Sequence, residues 1–510
     1  MNQKRVGILI AYLNLVMSMV VNIFLTPLMI KAFGDVDYSV YKVMQSFAGP
    51  LGMFHLGIAT VVTRSIVKYN NTEDYTKKDK QNTMALALLV SSLMSVIVLI
   101  AGIIMYNSIP SMYGATYTAE NLVLAKKIFG VFLLSNIVHM LTDAFNGCLG
   151  GYEKFIISSS IHLMKTVFRV VLIYVFLICG MSVLFVAVVD LIIAVISFVF
   201  QLIYAVFCLH EIPRLYYIDK KQIIEIFSFG IAILLQALIN QVNNNMDTMI
   251  LGAFVQEKVV ITMYSSALTI YSLYNSLVSV VTNFFLPKAT KLVSQNASGK
   301  ELTDFVIVPG RFQAMMAVAC LFGFLLVGND FISLWIGEKY SDAYWVTLFL
   351  MVPVTIPLVE NAAISILDAT LKRIYRSSVL VVMAVINFVV SILLVKMMGY
   401  WGAAIGTFAS LIIGHGFLMN VYYAKTFNME IGRMFFEIFK GILPAGAISY
   451  AVCFPLTFIK NGTIFYFLVK CIAFIVIYLG LLWIFGANKF EKNVISEMIR
   501  KFIPKKKKRG

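Results

Sequence analysis

Long apolar runs alternate with short polar connections along almost the whole chain. Each run holds about 20 residues, which is what an α-helix needs to cross a hydrocarbon core roughly 30 Å thick. Runs such as Leu191–Phe200 are continuously apolar, whereas the strands of a membrane barrel alternate between apolar and polar residues. The pattern therefore predicts an all-α polytopic membrane protein with about fourteen spans, near residues 6–30, 38–62, 83–106, 123–147, 156–179, 182–208, 223–245, 260–286, 305–327, 343–367, 377–398, 402–424, 436–458 and 463–485.

The predicted span starts repeat along the chain. The first six starts, at residues 6 to 182, recur at residues 223 to 402 with an offset of about 220 residues. Six crossings return the chain to its starting side, so the two copies should be parallel and related by an axis along the membrane normal. This repeat predicts an N-terminal six-helix half, a cytoplasmic linker, a C-terminal six-helix half, and two extra helices with a basic tail, over residues 1–208, 209–222, 223–435 and 436–510.

Lysine and arginine are concentrated in the segments that share a side with both chain ends. Cytoplasmic loops keep such residues, so we expect both termini in the cytoplasm. The net charge is +16, and nine basic residues follow Phe485. A basic tail beside a membrane attracts anionic headgroups by about 1 kcal/mol per charge. We therefore expect anionic lipids, and not nucleic acid, to bind this tail.

Enzymatic chemistry is not supported by the remaining composition. The chain is 60% hydrophobic with a mean hydropathy of +0.88, and its loops are too short for a separate domain. The six cysteines show no metal-ligand spacing, and no phosphate-cradling GxxxxGK[ST] loop occurs. A membrane-embedded glycosyltransferase would need acids on an outer loop, and residues 107–121 and 329–342 offer a few without a supporting domain. We expect a carrier that is not an enzyme and has no cofactor.

One helix face is basic inside the predicted bilayer. His162, Lys165 and Arg169 follow each other at spacings of three and four residues, which places them on one face of the fifth span. At a rise of 1.5 Å per residue, Arg169 lies roughly 20 Å deep. An isolated lysine or arginine there costs about 2.5–3.5 kcal/mol. Water, an acid such as Asp190 or Glu360, or an anionic ligand could compensate, and guanidinium groups bind phosphate oxygens in pairs.

Other basic and amide residues extend this candidate site. Arg311, near the cytoplasmic entrance of the ninth span, is a candidate for phosphate or headgroup contact. Lys42 and Lys470 lie near predicted outer ends, where long side chains snorkel to the interface. Amides of the first and seventh spans either line a wet path or hydrogen-bond between helices. These amides include Asn14, Asn240 and Asn244.

Acids within the spans are candidates for coupling transport to an ion. Asp190, Asp247 and Glu360 could each bind a proton or sodium ion. No acid occurs in the first span. The sequence therefore leaves open whether the coupling ion is a proton or a sodium ion.

Three local motifs resemble one known family. His55-Leu56-Gly57-Ile58, running on to Thr63-Arg64, is similar to that family's Gly-Leu…Arg close of helix two, although His55 replaces its usual Asp. Residues 245–252, Asn-Met-Asp-Thr-Met-Ile-Leu-Gly, are similar to its Asn-x-Asp…Leu-Gly close of helix seven. Residues 285–292 carry the third motif. With the repeat, they resemble the oligosaccharide-lipid (polysaccharide and O-antigen) flippases of the multidrug/oligosaccharidyl-lipid/polysaccharide exporter superfamily.

This resemblance implies a function and a location. It implies an alternating-access flippase that moves an undecaprenyl-pyrophosphate-linked oligosaccharide from the inner to the outer leaflet of the bacterial cytoplasmic (inner) membrane. It implies lipid-linked oligosaccharide as a partner and allows other polysaccharide-assembly membrane proteins as partners. It also adds Arg64 to the substrate-binding candidates.

Two alternatives stay open. A peptidoglycan lipid-precursor flippase shares the pyrophosphate and the basic cavity. A cation-coupled multidrug extruder should carry more acids than bases in the middle of its bundle, and the fifth span has the reverse.

Overall fold

The computed structural model describes residues 3–55, 57–72, 75–220, 223–224, 239–241, 243, 245–279, 286–370, 372–458, 463–493 and 496. Within these ranges every regular element is a helix. Among the described residues, eleven helical runs are long and apolar enough to cross a membrane, judged by length and composition. The run Val16–Asn71 covers the first two predicted spans, and the other ten correspond to predicted spans three to six and nine to fourteen. The all-α polytopic fold is confirmed, and the count of fourteen stays a prediction.

Two compact units make up the chain. The first contains Met1–Thr269 and Leu380–Ser410, and the second contains Ile270–Val379 and Leu411–Gly510. These bounds differ from the predicted halves, because residues 245–269 pack with the first six helices and residues 380–410 pack in turn with residues 243–254. The Thr116 hydroxyl, for example, donates to the carbonyl of Gly252 at 2.6 Å. The predicted repeat and the predicted sides of the termini stay predictions.

The first unit is built mainly from its six N-terminal helices. α1 packs on α5, and α4 packs on α2, α3 and α6. The helices of this unit, with α8, α13 and α14 only in part, are α1 (Gln3–Ala48), α2 (Ile58–Asn71), α3 (Lys77–Tyr113), α4 (Ala119–Gly151), α5 (Phe155–Ile178), α6 (Leu184–Ile203), α7 (245–254), α8 (Lys258–Ser279), α13 (Arg373–Met398) and α14 (Tyr400–Leu411).

Glycine sets two geometric features of this unit. Gly34 has φ 70° and ψ 178° and divides α1 where the sequence predicts the first loop; this backbone region is essentially restricted to glycine. Gly147 and Gly151, one turn apart on α4, let α2 approach closely. A Cβ on Gly147 would lie 2.6 Å from the carbonyl oxygen of Ala59, and one on Gly151 would lie 2.6 Å from Ile66. Small residues at this spacing are a common way for membrane helices to pack.

The second unit is arranged around α10, which packs on α11, α12, α16, α17 and α18. Gly310 and Gly446 make the approaches close, since a Cβ on either would lie under 3 Å from a neighbouring helix. The helices of this unit are α9 (Leu286–Ser294), α10 (Gly299–Trp335), α11 (Ala343–Val359), α12 (Asn361–Ala369), α15 (Asn420–Phe427), α16 (Ile431–Phe439), α17 (Ile442–Cys453), α18 (Ile464–Leu481) and α19 (489–493). The segment Ile412–Met419 is a π-helix.

Candidate functional site

A polar pocket of about 320 Å³ lies within the first unit, between α1, α5 and α6. Its walls come from helices that are apolar over most of their length, so the polar residues are concentrated at one place. The polar residues that line it are Asn22, Thr26, Tyr38, Tyr41, Lys42, Gln45, Arg169 and Asp190.

The ion pair of Arg169 and Asp190 joins α5 to α6 in this pocket. Arg169 Nε donates to Asp190 Oδ1 at 2.6 Å, and Nη2 donates to Oδ2 at 3.3 Å. Nη2 also donates to the hydroxyl of Tyr41 at 3.3 Å. The side chains of Arg169 and Asp190 keep 27% and 21% of their surface exposed. The expected acidic partner of Arg169 is therefore Asp190, and the pair is open to the pocket.

Lys42 contributes a second cation to the same pocket. The sequence predicts that this lysine snorkels to the outer interface, but the structure places it in the pocket lining, with Nζ 5.6 Å from the centre of the Tyr38 ring. In the described part of the chain, neither Lys42 Nζ nor Arg169 Nη1 has a hydrogen-bond acceptor. With two cations and one acid, the pocket carries one net positive charge when all three groups are ionised.

The spacing of polar residues in α1 predicts the wall that this helix contributes to the pocket. Tyr38, Tyr41, Lys42 and Gln45 are separated by three, one and three residues, which places them on one helix face. The prediction that Lys42 snorkels rests on its distance from a helix end and does not use this spacing.

The other residues of the predicted basic stripe have separate surroundings. Lys165 is half-buried and lines a small apolar crevice between α5 and α6, with Phe168 and Ile193 among its neighbours. His162 is exposed, and Asp143 on α4 interacts electrostatically with both of these basic residues. The stripe is thus divided into Arg169 in the pocket and a His162–Lys165 pair beside Asp143.

Asn14 links two helices of the first unit. Its Oδ1 accepts a hydrogen bond of 2.9 Å from the Thr166 hydroxyl, which ties α1 to α5. Of the two roles considered for the amides, this contact supports interhelical bonding. Arg64 is exposed on α2, and Asn240 is half-buried. Asn244 lies outside the described residues.

Arg311 is buried and paired inside the second unit, so this arrangement does not support its predicted substrate contact, which stays a prediction. It is 7% exposed. Nε and Nη2 bind the two carboxylate oxygens of Glu491 at 2.5 and 3.2 Å. Nη1 donates to the carbonyls of Glu437 and Lys440, and Nη2 also donates to the carbonyl of Gly486. All five donors of the guanidinium are occupied, so none is left for a phosphate.

Asp247 lies in a buried cluster of neutral donors within the first unit. It is 3% exposed. Its carboxylate accepts hydrogen bonds from the hydroxyls of Tyr264 at 2.6 Å and Thr407 at 2.7 Å, and from the amide of Asn387 at 3.5 Å. No basic side chain among the described residues pairs with it. Because an unpaired buried carboxylate is costly, a proton or a small cation would complete this cluster.

Glu360 is the corresponding buried acid of the second unit. It lies where α11 ends and is 2% exposed. His415, in the π-helix Ile412–Met419, places Nδ1 3.7 Å from Glu360 Oε1. Asp190, in contrast, is already neutralised by Arg169.

An apolar cavity of about 640 Å³ lies within the second unit. α8, α10, α11 and α18 contribute its walls. Among its lining residues are Tyr274, Met315, Phe324, Phe474 and Tyr478.

The fold is that of known membrane transporters. The structure is similar to "Lipid II flippase MurJ, inward closed conformation", with a TM-score of 0.74 and 15% identity over 96% of this chain and 100% of that chain. It is also similar to an inward-facing multidrug resistance MATE family transporter of the MOP superfamily, with a TM-score of 0.62 and 15% identity over 84% of this chain and 98% of that one. It is similar as well to the eukaryotic MATE transporter AtDTX14, with a TM-score of 0.55 and 13% identity over 85% of this chain and 98% of that one.

The apolar spans and these similarities thus define a multi-pass membrane protein with the fold of membrane transporters. The chain belongs to the polysaccharide biosynthesis protein family, whose model matches residues 6–293, more than half of its length. The expected relation to polysaccharide biosynthesis is therefore confirmed. No curated protein matches the chain.

A structural role and a substrate-binding role of Arg311 predict different outcomes for its replacement by alanine. We expect Arg311→Ala to lower the free energy of unfolding by about 3–5 kcal/mol, because it leaves Glu491 buried and unpaired. Arg433, which makes exposed ion pairs with Asp304 and Glu430 in the same unit, is the matched control, and Arg433→Ala should leave the free energy of unfolding nearly unchanged. Thermal unfolding of the purified protein in detergent measures both. An Arg311→Ala protein that is as stable as the wild type but inactive would restore the substrate role.

Proposed function

We propose that this protein is an alternating-access flippase that carries an oligosaccharide, linked to undecaprenyl diphosphate, from the inner to the outer leaflet of the bacterial cytoplasmic membrane. Its family supports a role in polysaccharide synthesis. The observation that carries the proposal is the polar pocket of the first unit, where Arg169 and Lys42 outnumber the single acid Asp190. A multidrug extruder for cations would need the opposite balance of charge.

The diphosphate is proposed to exchange with Asp190. Arg169 holds a carboxylate in a bidentate arrangement, and the same planar fork binds two phosphate oxygens. Lys42 adds a point charge that no carboxylate in the described ranges neutralises. A diphosphate that enters the pocket would meet both cations, while Asp190 would return to Arg169 after the substrate leaves. The pair therefore compensates the charge of Arg169 while the pocket is empty, and Lys42 keeps the pocket positive.

The lipid part of the substrate needs an apolar site. The cavity of about 640 Å³ in the second unit is lined almost entirely by aliphatic and aromatic side chains and by methionine and cysteine. Methionine and aromatic residues adapt their packing to flexible apolar chains. This lining supports a substrate with an isoprenoid chain.

Coupling is proposed to occur at Asp247. Its three neutral donors leave the carboxylate charge uncompensated, and α7, α8, α13 and α14 all meet there. A proton or sodium ion that binds Asp247 would therefore draw these helices together. Glu360 is the second candidate, and Asp190 is less suitable because Arg169 already pairs with it.

Export in cells tests the phosphate proposal. Arg169→Ala should reduce surface-polysaccharide export by about 10- to 100-fold, which corresponds to the loss of one charge-assisted hydrogen-bonded contact of about 1.5–3 kcal/mol. The double variant Arg169→Ala/Asp190→Ala removes both charges of the ion pair and should fold, yet it should remain inactive. Arg433→Ala should export normally.

Complementation of two bacterial strains measures this effect and identifies the substrate class. One strain lacks its polysaccharide flippase, and the other lacks its peptidoglycan-precursor flippase. Rescue of the first strain alone is expected. Rescue of the second alone would transfer the function to the peptidoglycan precursor, and normal export by the double variant would remove Arg169 from the mechanism.

A thermal shift tests the role of Asp247. If a sodium ion binds there, exchanging potassium chloride for sodium chloride at constant ionic strength should raise the unfolding temperature of the wild type but not of Asp247→Asn. If a proton binds there, lowering the pH should stabilise the wild type relative to the variant. Asp143→Asn, on another acid of the first unit, is the control. Equal responses of wild type and Asp247→Asn to both changes would contradict the assignment.

A further inference from the structure

A second polar cavity, of about 910 Å³, lies within the second unit between α10, α11, α17 and α18. It lies near the ends of these helices that the lysine and arginine distribution predicts to be outside. A cavity of this size is in the range of small-ligand sites, which lie between about 300 and 1,000 Å³. Its polar lining includes Asn329, Asp330, Ser333, Glu338, Ser341 and Lys470.

An ion pair lies in the wall of this cavity. Lys470 on α18 places Nζ 2.7 Å from Asp330 Oδ2 on α10. The side chain of Lys470 is only 4% exposed, so it does not snorkel to the interface as the sequence predicts, whereas Asp330 is 40% exposed. A buried ion pair adds little stability over apolar residues of similar size. What the pair does achieve is to hold the Asp330 carboxylate at the cavity surface.

Aromatic rings form the other walls. Tyr344 and Trp345 meet edge to face with ring centres 4.8 Å apart, and Tyr450 lies 5.7 Å from Phe454. Trp345 keeps 57% of its surface exposed. Aromatic residues of an interfacial belt face the headgroups, but these rings line a concave space together with the two acids.

This combination of groups selects a class of ligand. Carboxylate oxygens accept hydrogen bonds from hydroxyl groups, and aromatic faces pack on the apolar face of a sugar ring. A phosphate headgroup would be repelled by Asp330 and Glu338, and the lysine of the cavity is already paired. The lining therefore fits a neutral, polyhydroxylated ligand.

The position of the cavity along α18 relates it to the proposed substrate. Phe467 lines both this polar cavity and the apolar cavity of about 640 Å³. Along α18, Thr463, Tyr466 and Lys470 face the polar cavity, while Cys471, Phe474 and Tyr478 face the apolar one. One helix thus offers adjacent sites for the two chemical parts of a glycolipid.

We propose that the cavity around Asp330, Glu338 and Trp345 is a second binding site, for the neutral oligosaccharide part of the substrate on the outer side of the membrane. That this saccharide belongs to a transported substrate rests on the proposed function. That the cavity binds a neutral glycan is independent of the proposed function.

Direct binding to the full-length protein in lipid nanodiscs tests this site. Isothermal titration with maltotriose, mannotriose and triacetylchitotriose should show saturable binding of at least one neutral trisaccharide. The anionic trigalacturonate should bind at least about tenfold more weakly. Trp345→Ala and Glu338→Gln should each weaken neutral binding about tenfold, as expected for an anchor residue in a binding pocket. Trp401→Ala, which changes a tryptophan of the first unit, is the control and should bind normally.

Three results would overturn the proposal. They are that no neutral trisaccharide binds the wild type, that Trp345→Ala and Glu338→Gln both bind the neutral trisaccharide as tightly as the wild type does, or that trigalacturonate binds as tightly as the neutral trisaccharide. The export assay with Arg169→Ala separates this proposal from the transport function. Loss of export by that variant without glycan binding to the wild type refutes the outer site alone. Glycan binding that depends on Trp345, together with normal export by the Arg169 variants, refutes the diphosphate mechanism and leaves the site.

Discussion

The ion pair of Arg169 and Asp190 reflects the constraint on which the rest of the structure depends: a charge inside apolar helices must be compensated where it lies. The chain meets this constraint in three ways. Arg311 is enclosed by Glu491 and three backbone carbonyls. Arg169 is paired but remains open to a pocket. Asp247 is surrounded by neutral donors alone. Arg311, Arg169 and Asp247 therefore differ in their capacity to bind a ligand. This difference supports the roles proposed for them.

Spare hydrogen-bond donors distinguish Arg169, the arginine proposed to bind substrate, from Arg311. Arg311 has no donor left, and its partners come from α16, α19 and the segments that precede α17 and follow α18, so it fastens the end of the described chain to α10. Arg169 retains Nη1, and Lys42 lies in the same pocket with its ammonium group unpaired in the described ranges. An anion could therefore enter beside Arg169 without breaking the fold, whereas at Arg311 it would have to displace the bonds that hold several elements together.

The sequence predicted those features that depend on the local pattern of residues. It predicted most of the spans, the break of the first run near Gly34 and Asp190 as a candidate partner of Arg169. It could not predict features that depend on distant contacts. Glu491 follows Arg311 by 180 residues, and Asp330 precedes Lys470 by 140, so only packing shows that these basic residues are buried and paired. Lys42 was misassigned for the same reason, because its distance from a helix end predicts snorkelling, while the pocket between α1, α5 and α6 exists only in the folded unit.

The most direct test of the account is whether Asp190 and a diphosphate compete for Arg169. Binding of undecaprenyl diphosphate to the purified protein in nanodiscs can be measured for the wild type, Asp190→Asn and Arg169→Ala. The account predicts that Asp190→Asn binds the lipid more tightly than the wild type, because the internal competitor is gone, and that Arg169→Ala binds it more weakly. Equal affinities for all three proteins would contradict the claim that this ion pair forms the diphosphate site.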